Sequence, residues 1–213
     1  MAFAEARSGD VTVSDGAPRE LRLGSKGELF TSESVGKYYE IAKRGQLFHA
    51  SMQAGSALGV ALTATAVTLT LYNPSTSTVN LAVLQCGISI TTQQVTTATV
   101  ENIVYAANVD PSAAIPATTT SATIRPGLLG LNAGQGKAFT AATLPAAPVV
   151  VRPFPLAAFM QITTQIAQPN LAAIDNIDGA ISLAPNTCLT IQGLATTTGV
   201  SGIVSFTWAE LPR

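Results

Sequence analysis

Charged residues are scarce in this sequence. Lys, Arg, Asp and Glu make up 11% of the 213 residues and leave a formal net charge of −1, whereas about a quarter of an ordinary soluble domain is charged. Because no excess of positive charge is present, we expect no affinity for nucleic acid and none for an anionic membrane surface. The hydrophobic content of 47% argues against a disordered chain.

Groups that ligate metals or exchange protons are also few. The single histidine is His49, and the two cysteines, Cys86 and Cys188, are far apart and lack the spacing of a metal site. Each cysteine lies in an apolar run, so we interpret both as small buried hydrophobes, although the sequence leaves open whether they are bonded. No nucleophile motif is present, and no spacing selects a catalytic pair of carboxylates. We therefore expect no enzymatic activity, no metal and no cofactor.

Two segments resemble ligand-binding loops but depart from the required patterns. The Gly-rich stretch Gly127–Lys137 has Leu131 where a phosphate-binding loop needs its first glycine, and Ala138 where it needs Ser or Thr. The stretch Asp175–Gly179 lacks the alternating oxygen ligands and the distal Glu of a calcium loop. We interpret the first segment as a loop or tight turn and the second as a polar turn.

Long apolar runs are missing as well. The first ten residues, MAFAEARSGD, carry acids where a secretory signal needs an apolar stretch. The longest apolar run, residues 54–71, is interrupted by Ser, Gly and Thr, so it does not suit a membrane-spanning helix. These features predict a protein that is made in the cytoplasm and does not enter a membrane.

The few charges are concentrated at the N-terminus. Residues 1–44 hold fourteen of the 23 charged residues, whereas residues 45–100 and 179–209 hold none. This division predicts an extended N-terminal arm over 1–44 and one domain over 45–213. The arm is either a flexible tail or a segment that lies along a partner and pairs with its strand edges, and we favour the second interpretation. Its candidate partner-contact residues are Arg19, Arg22, Lys26, Tyr38, Tyr39, Lys43 and Arg44.

The remainder of the chain alternates with the period of two that is typical of strands. Residues 68–91 contain two such runs around the turn Asn73–Thr78, which predicts a hairpin or two strands linked across a sandwich. We place Val79, Leu81, Val83 and Gln85 on one face of the second run and Ala82, Leu84 and Cys86 on the other. Further strands are predicted over residues 59–72, 79–91, 95–106, 118–124, 149–151 before a Pro-bounded bend, 180–183, 188–191 and 200–208.

Strands that recur every 8–12 residues with turn signals between them predict an all-β, antiparallel β-sandwich or jelly roll. The apolar positions of the clearest strands define its expected core. These residues are Leu69, Leu71, Leu81, Val83, Ile181, Leu189, Ile191, Val204, Phe206 and Trp208.

Four segments resemble a family of tailed-bacteriophage virion proteins. They are RGQLFHAS at 44–51, LTLYNPSTSTVNLAVLQ at 69–85, DGAISLAPNTCLTI at 178–191 and IVSFTWAELP at 203–212. The resemblance implies a non-enzymatic capsid cement or decoration protein that stabilises the icosahedral head by bridging major capsid protein subunits. It implies assembly in the host cytoplasm, a place on the capsid surface of the virion, and an arm that contacts the capsid.

The composition favours self-association independently, because a Thr/Ala/Val-rich surface of low charge leaves apolar area that a monomer would expose. We therefore expect a closed homo-oligomer. The resemblance favours a trimer, since proteins of that kind commonly sit as trimers over junctions between capsid hexamers. The alternative function is that of a tail-associated receptor- or carbohydrate-binding β-sandwich.

Overall fold

The computed structural model describes residues 36–66, 68–92, 101–108, 117–131, 134–158, 172–194 and 200–213. Within these ranges the chain forms one short helix, α1 (Tyr39–Lys43), and thirteen strands. The expected all-β class is therefore confirmed. The strands are β1 (Leu47–Ser51), β2 (Ser56–Ala57), β3 (Thr65–Ala66), β4 (Thr70–Asn73), β5 (Val79–Thr92), β6 (Glu101–Asn108), β7 (Ala117–Ser121), β8 (Ile124–Pro126), β9 (Lys137–Thr143), β10 (Val149–Ala158), β11 (Ala172–Leu183), β12 (Thr187–Leu194) and β13 (Ser201–Pro212).

The strands form two antiparallel sheets that pack as a sandwich. The six-stranded sheet has the order β11-β5-β13-β1-β8, with β2 attached to β13. The seven-stranded sheet has the order β10-β6-β12-β4-β9-β3, with β7 attached to β9. The strands β7, β8 and β9 come from the segment between β6 and β10, and they widen the sandwich beyond β1 and β4.

Eight of the strands are paired as nested couples. β1 pairs with β13, β4 with β12, β5 with β11 and β6 with β10. Successive couples alternate between the two sheets, so the chain behaves as one long two-stranded ribbon that is rolled up. This arrangement is that of a jelly roll, as the strand spacing predicts.

The segment 68–91 crosses from one sheet to the other. β4 belongs to the seven-stranded sheet and β5 to the six-stranded sheet, so the hairpin interpretation is wrong and the strands are linked across the sandwich. Asn73 lies fully buried at this crossing. Its side-chain Nδ2 donates to the carbonyl oxygens of Val79 and Leu183, both at 2.9 Å. The Asn73 amide thus connects the end of β4 to β5 and β11 of the opposite sheet.

The faces of β5 exchange at Leu84. In the pairing with β13, Gln85 lies opposite Thr207 and Val83 lies opposite Trp208, which leaves Leu84 as an extra residue. A β-bulge of this kind turns the following side chains to the other face of the sheet. The predicted faces are therefore wrong beyond this point, since Cys86 joins Val83 in the core and Gln85 lies outside it.

The main core lies between the two sheets. Of the ten predicted core residues, nine are at most 1% exposed, and Ile181 is half-buried and packs against them. The centre of the core is aromatic: Trp208 is fully buried, and its ring lies 6.1 Å from that of Phe48 in a stacked arrangement. A buried tryptophan contributes a large apolar area, so the last described strand anchors the whole sandwich.

A second, smaller apolar cluster contains Ala66, Tyr72, Leu144 and Cys188. With the main core on the side of Leu71 and the second cluster on the side of Tyr72, β4 is buried along its whole length, and Thr70 does not face solvent. Cys86 in the main core and Cys188 in the second cluster are both buried and free. Burial raises the pKa of both thiols, that of Cys188 to about 11.

The structure corrects several predicted strand limits. The predicted strand 59–72 contains only β3 and β4, and the predicted strand 118–124 is divided between β7 and β8 in different sheets. The predicted strand 95–106 begins outside the described residues, and β6 starts at Glu101. The final predicted strand is confirmed, because β13 covers 201–212 with alternating burial up to Trp208.

Two segments that we interpreted as a bend and a turn lie inside long strands. β10 continues through Pro153 and Pro155, which an edge strand tolerates because its outer side needs no N–H donor. Asp178 and Gly179 adopt positive φ angles of 51° and 84° within β11. They belong to a larger irregularity, in which residues 177–180 of β11 stand against Leu84 alone of β5, since the register shifts between Asn176 and Ile181.

Residues 40–213 form one compact unit, and the boundary that the sequence predicts after residue 44 stays a prediction. Residues 1–35 of the predicted arm lie outside the described residues. Among the residues that the structure describes, no helix has the length and apolar character needed to cross a membrane.

Candidate functional site

Four of the seven predicted contact residues of the arm are described. Tyr39 and Lys43 begin and end α1, and Tyr39, Lys43 and Arg44 are exposed. Tyr38 is half-buried, and the ammonium of Lys37 lies 5.3 Å from the centre of its ring. Arg19, Arg22 and Lys26 lie outside the described residues, so the contact role of the arm stays a prediction.

One edge of the sandwich exposes a cluster of β-branched side chains, which we call the valine edge. It consists of Val149, Val150 and Val151 on β10 and Ile174 on β11, with Val149 67% and Ile174 70% exposed. Both strands are terminal in their sheets and have one partner each among the described strands. Long edge strands with exposed apolar side chains are suited to association with another chain.

A polar cluster joins the two sheets beneath the valine edge. The carboxylate of Asp175 on β11 accepts hydrogen bonds from the guanidinium of Arg152 on β10 and from the Tyr105 hydroxyl at 2.8 Å. The hydrogen bond to Asp175 raises the pKa of Arg152, and burial is the main cause of the raised pKa of Tyr105. The Arg152–Asp175 ion pair thus links the two edge strands, one from each sheet, and adds no net charge to this edge.

The opposite edge of the sandwich carries a second apolar patch, which we call the leucine loop. It comprises Leu128, Leu129 and Leu131 in the connection between β8 and β9, and Leu129 is 76% exposed. The backbone N–H of Gly127 donates to the Leu47 carbonyl oxygen at 2.7 Å, so the loop begins against β1. Because β8 and β11 are the two ends of the six-stranded sheet, the leucine loop and the valine edge lie at opposite edges.

The backbone of residues 134–136, which follow the leucine loop, binds the side-chain carboxylate of Glu210. The carboxylate of Glu210 accepts hydrogen bonds from the backbone N–H groups of Gln135 and Gly136, both at 2.8 Å. A Cβ atom at Gly134 would lie 2.2 Å from Glu210 Oε1, so only glycine fits there. The interpretation of this stretch as a loop is confirmed, and the Glu210 carboxylate explains the glycine at position 134.

We expect the substitution Glu210→Gln to lower the free energy of unfolding by about 1.5–3 kcal/mol. The glutamine side chain keeps one oxygen that can accept from a backbone N–H group. Its NH₂ group would face the other backbone N–H group, so that two donors oppose each other. Urea denaturation measures the change, and Glu40→Gln on the exposed side of α1 is the matched control, with an effect within about 0.5 kcal/mol. The loss should also be non-additive with Gly134→Ala, because both act on one contact. Additive effects would contradict the assignment.

The outer face of the six-stranded sheet carries a polar row that runs across five strands. Its members lie directly opposite one another on neighbouring strands: Arg125 on β8, His49 on β1, Thr207 on β13, Gln85 on β5 and Asn176 on β11. His49 Nδ1 lies 2.9 Å from Thr207 Oγ1, and Gln85 Nε2 donates to Asn176 Oδ1 at 2.8 Å. Burial lowers the pKa of His49, so this residue is neutral at neutral pH.

A groove of about 410 Å³ opens at one end of this row, between β1, β8 and β13. Among the described residues, no group of three or more His, Cys, Asp or Glu side chains is arranged to hold a metal. Sequence reasoning predicted the strand β13 but missed the groove, because cross-strand register cannot be read from a single strand. The available signal was the polar alternation in His49, Ser51 and Gln53.

No protein-family model matches the chain, and no curated protein and no solved structure shows significant similarity to it.

Proposed function

We propose that the protein is a non-enzymatic capsid cement or decoration protein of a tailed bacteriophage, which stabilises the head by bridging major capsid protein subunits. The observation that carries the proposal is the presence of two exposed apolar patches, the valine edge and the leucine loop, at opposite edges of one sandwich. Contiguous apolar patches on a folded surface typically mark interfaces with other chains.

The position of the two patches favours a ring of identical subunits. If the valine edge of one subunit packs on the leucine loop of the next, the contact is head-to-tail, and a head-to-tail contact closes when the rotation between subunits is suitable. A trimer is the expected ring, through the resemblance to phage virion proteins. A closed ring on the capsid surface would contact several capsid subunits at once, which is the action of a cement protein.

The fold class supports the proposal by analogy alone. Jelly rolls occur in viral capsid domains and in lectins, and one fold hosts many functions. The resemblance of four segments within residues 44–213 to phage virion proteins supports the capsid role among these.

We expect light scattering on the purified protein to give a multiple of 21.8 kDa, with three copies favoured. The double substitution Val149→Ser and Leu129→Ser should shift the protein to monomers, because it removes apolar contacts from both sides of the head-to-tail interface. Leu211→Ser is the control, since Leu211 is exposed on β13 outside both patches. A wild-type protein that is monomeric both in solution and on heads would contradict the proposal.

Deletion of residues 1–36 should leave a folded oligomer that binds empty heads much more weakly. The arm is rich in charges and poor in apolar residues, so it suits contacts along a partner rather than a contribution to the core. Thermal melting of the truncated protein tests folding, and co-sedimentation with empty heads tests binding. Unimpaired binding would show that the body alone makes the contact, and loss of folding would show that the arm belongs to the core.

The alternative function is a tail-associated receptor- or carbohydrate-binding sandwich. The polar groove beside His49 and Arg125 and the occurrence of jelly rolls in lectins favour it. Binding to host cells or glycans in the absence of heads, without co-sedimentation with heads, would select this alternative.

A further inference from the structure

The groove on the outer face of the six-stranded sheet has a consistent chemical character. Polar side chains from three strands line it: Ser51 and His49 on β1, Thr207 and Ser205 on β13, and Arg125 on β8, together with Thr123 just before β8. Its volume of about 410 Å³ lies within the range of small-molecule sites, about 300–1,000 Å³. The lining is therefore rich in hydroxyl groups and contains a single permanent charge.

That charge belongs to Arg125. Its side chain is exposed, and among the described residues no carboxylate forms an ion pair with it. His49, which lies directly opposite Arg125 on β1, is held by its contact with Thr207 at 2.9 Å. A planar guanidinium with unused donors matches a carboxylate by two parallel hydrogen bonds. The ligand that complements this groove thus carries an anionic group that the guanidinium can bind, such as a carboxylate.

The remaining groups indicate the rest of the ligand. Ser51 and Ser205 lie directly opposite each other, and Thr123 and Thr207 add two more hydroxyls. Ser51 Oγ donates to the Met52 carbonyl oxygen at 3.2 Å and Ser205 Oγ donates to that of Gly87 at 3.5 Å. Both hydroxyls keep their capacity to accept, so they complement a ligand that carries hydroxyl donors of its own. The groove runs across the strands, and its floor presents these side chains rather than the backbone groups that an extended peptide would pair with.

We propose that this groove binds a saccharide that carries a carboxylate, such as a uronic or sialic acid unit. Arg125 pairs with the carboxylate, and the hydroxyls of Ser51, Ser205 and Thr123 bind those of the sugar ring. This site is separate from the valine edge and the leucine loop. It does not depend on the proposed role in the head, because a sugar-binding surface can accompany a cement protein or a tail protein.

The test is a titration of the full-length protein with D-glucuronate, followed by backbone amide NMR shifts. We expect shift changes that cluster on β1, β8 and β13. Arg125→Gln should weaken binding by about tenfold or more, because it removes a charge-assisted hydrogen-bonded pair. Lys137→Gln, which removes an exposed cation on β9 of the other sheet, is the matched control and should leave binding unchanged. Ser205→Ala should weaken binding by about two- to tenfold, the loss expected for one neutral hydrogen bond.

Several outcomes would overturn the proposal. If acetate binds as tightly as glucuronate, the sugar hydroxyls contribute nothing and the groove is a simple anion site. If glucose binds as tightly as glucuronate, the carboxylate contributes nothing and Arg125 has no role in binding. A tri-glutamate peptide that binds more tightly than glucuronate would assign the groove to an acidic protein partner. The absence of any shift on β1, β8 and β13 would exclude the site altogether. None of these results bears on co-sedimentation with heads, so the failure of this inference is distinguishable from that of the proposed function.

Discussion

Replacement of Trp208 by alanine is expected to lower the free energy of unfolding by about 3–5 kcal/mol. The indole is fully buried, stacks on Phe48 and lies in the middle strand of the six-stranded sheet. Its removal therefore loses a large apolar contact and leaves a cavity that the rigid sandwich cannot close. Domains are stable by about 5–15 kcal/mol, so this loss approaches the whole stability.

Chemical denaturation of the purified protein at one fixed protein concentration measures this effect. Leu211→Ala on the same strand is the matched control, since Leu211 is exposed, and its effect should stay below about 1 kcal/mol. A change near zero for Trp208→Ala would show that the side chain is not part of the core.

The substitution Asn73→Asp should be at least as damaging, at about 4–5 kcal/mol. The Asn73 Nδ2 group donates to two carbonyl oxygens, and Oδ1 has no partner in the described part of the chain. An aspartate there places a negative charge against two acceptors in a fully buried position. Asn73→Ala, which removes the donor without adding charge, should cost less, about 2–3 kcal/mol.

The pH dependence of the free energy of unfolding of the Asn73→Asp variant provides a sharper test. A buried, unpaired carboxyl has a pKa above the value of about 3.9 in the unfolded chain. The loss of unfolding free energy relative to wild type should therefore be small below about pH 4, where the carboxyl is protonated in both the folded and the unfolded chain. The loss should grow as the pH rises. Asn80→Asp on the half-buried start of β5 is the control. An equal deficit at all pH values would contradict the role assigned to the Asn73 amide.

Most of the fold could be predicted from the sequence, because strand alternation is a local property. The pattern of Val204, Phe206 and Trp208 alternates with polar residues and identifies both a strand and its buried face. Turn chemistry at Asn73-Pro74 and Asn186 likewise marks the ends of strands. A jelly roll follows from many such strands at short spacing.

The remaining features depend on contacts between distant residues. The bulge at Leu84 is set by the register of β13 against β5, so the reversal of faces at Cys86 is not visible in the local sequence. The glycine at position 134 makes sense only through Glu210, which lies 75 residues from Gln135. The polar row from Arg125 to Asn176 likewise arises from five strands that no sequence pattern connects.

The position of β13 between β1 and β5 has a consequence for synthesis in the cell. His49 and Thr207 are 158 residues apart in the chain, and Gly87 and Ser205 are 118 apart. During translation β1 and β5 are synthesised long before β13, so their apolar faces stay uncovered until β13 emerges. Pairings between residues so distant in the chain also form slowly. We therefore expect the nascent chain to bind chaperones. A message truncated before Ser201 would yield fragments that lack β13 and aggregate.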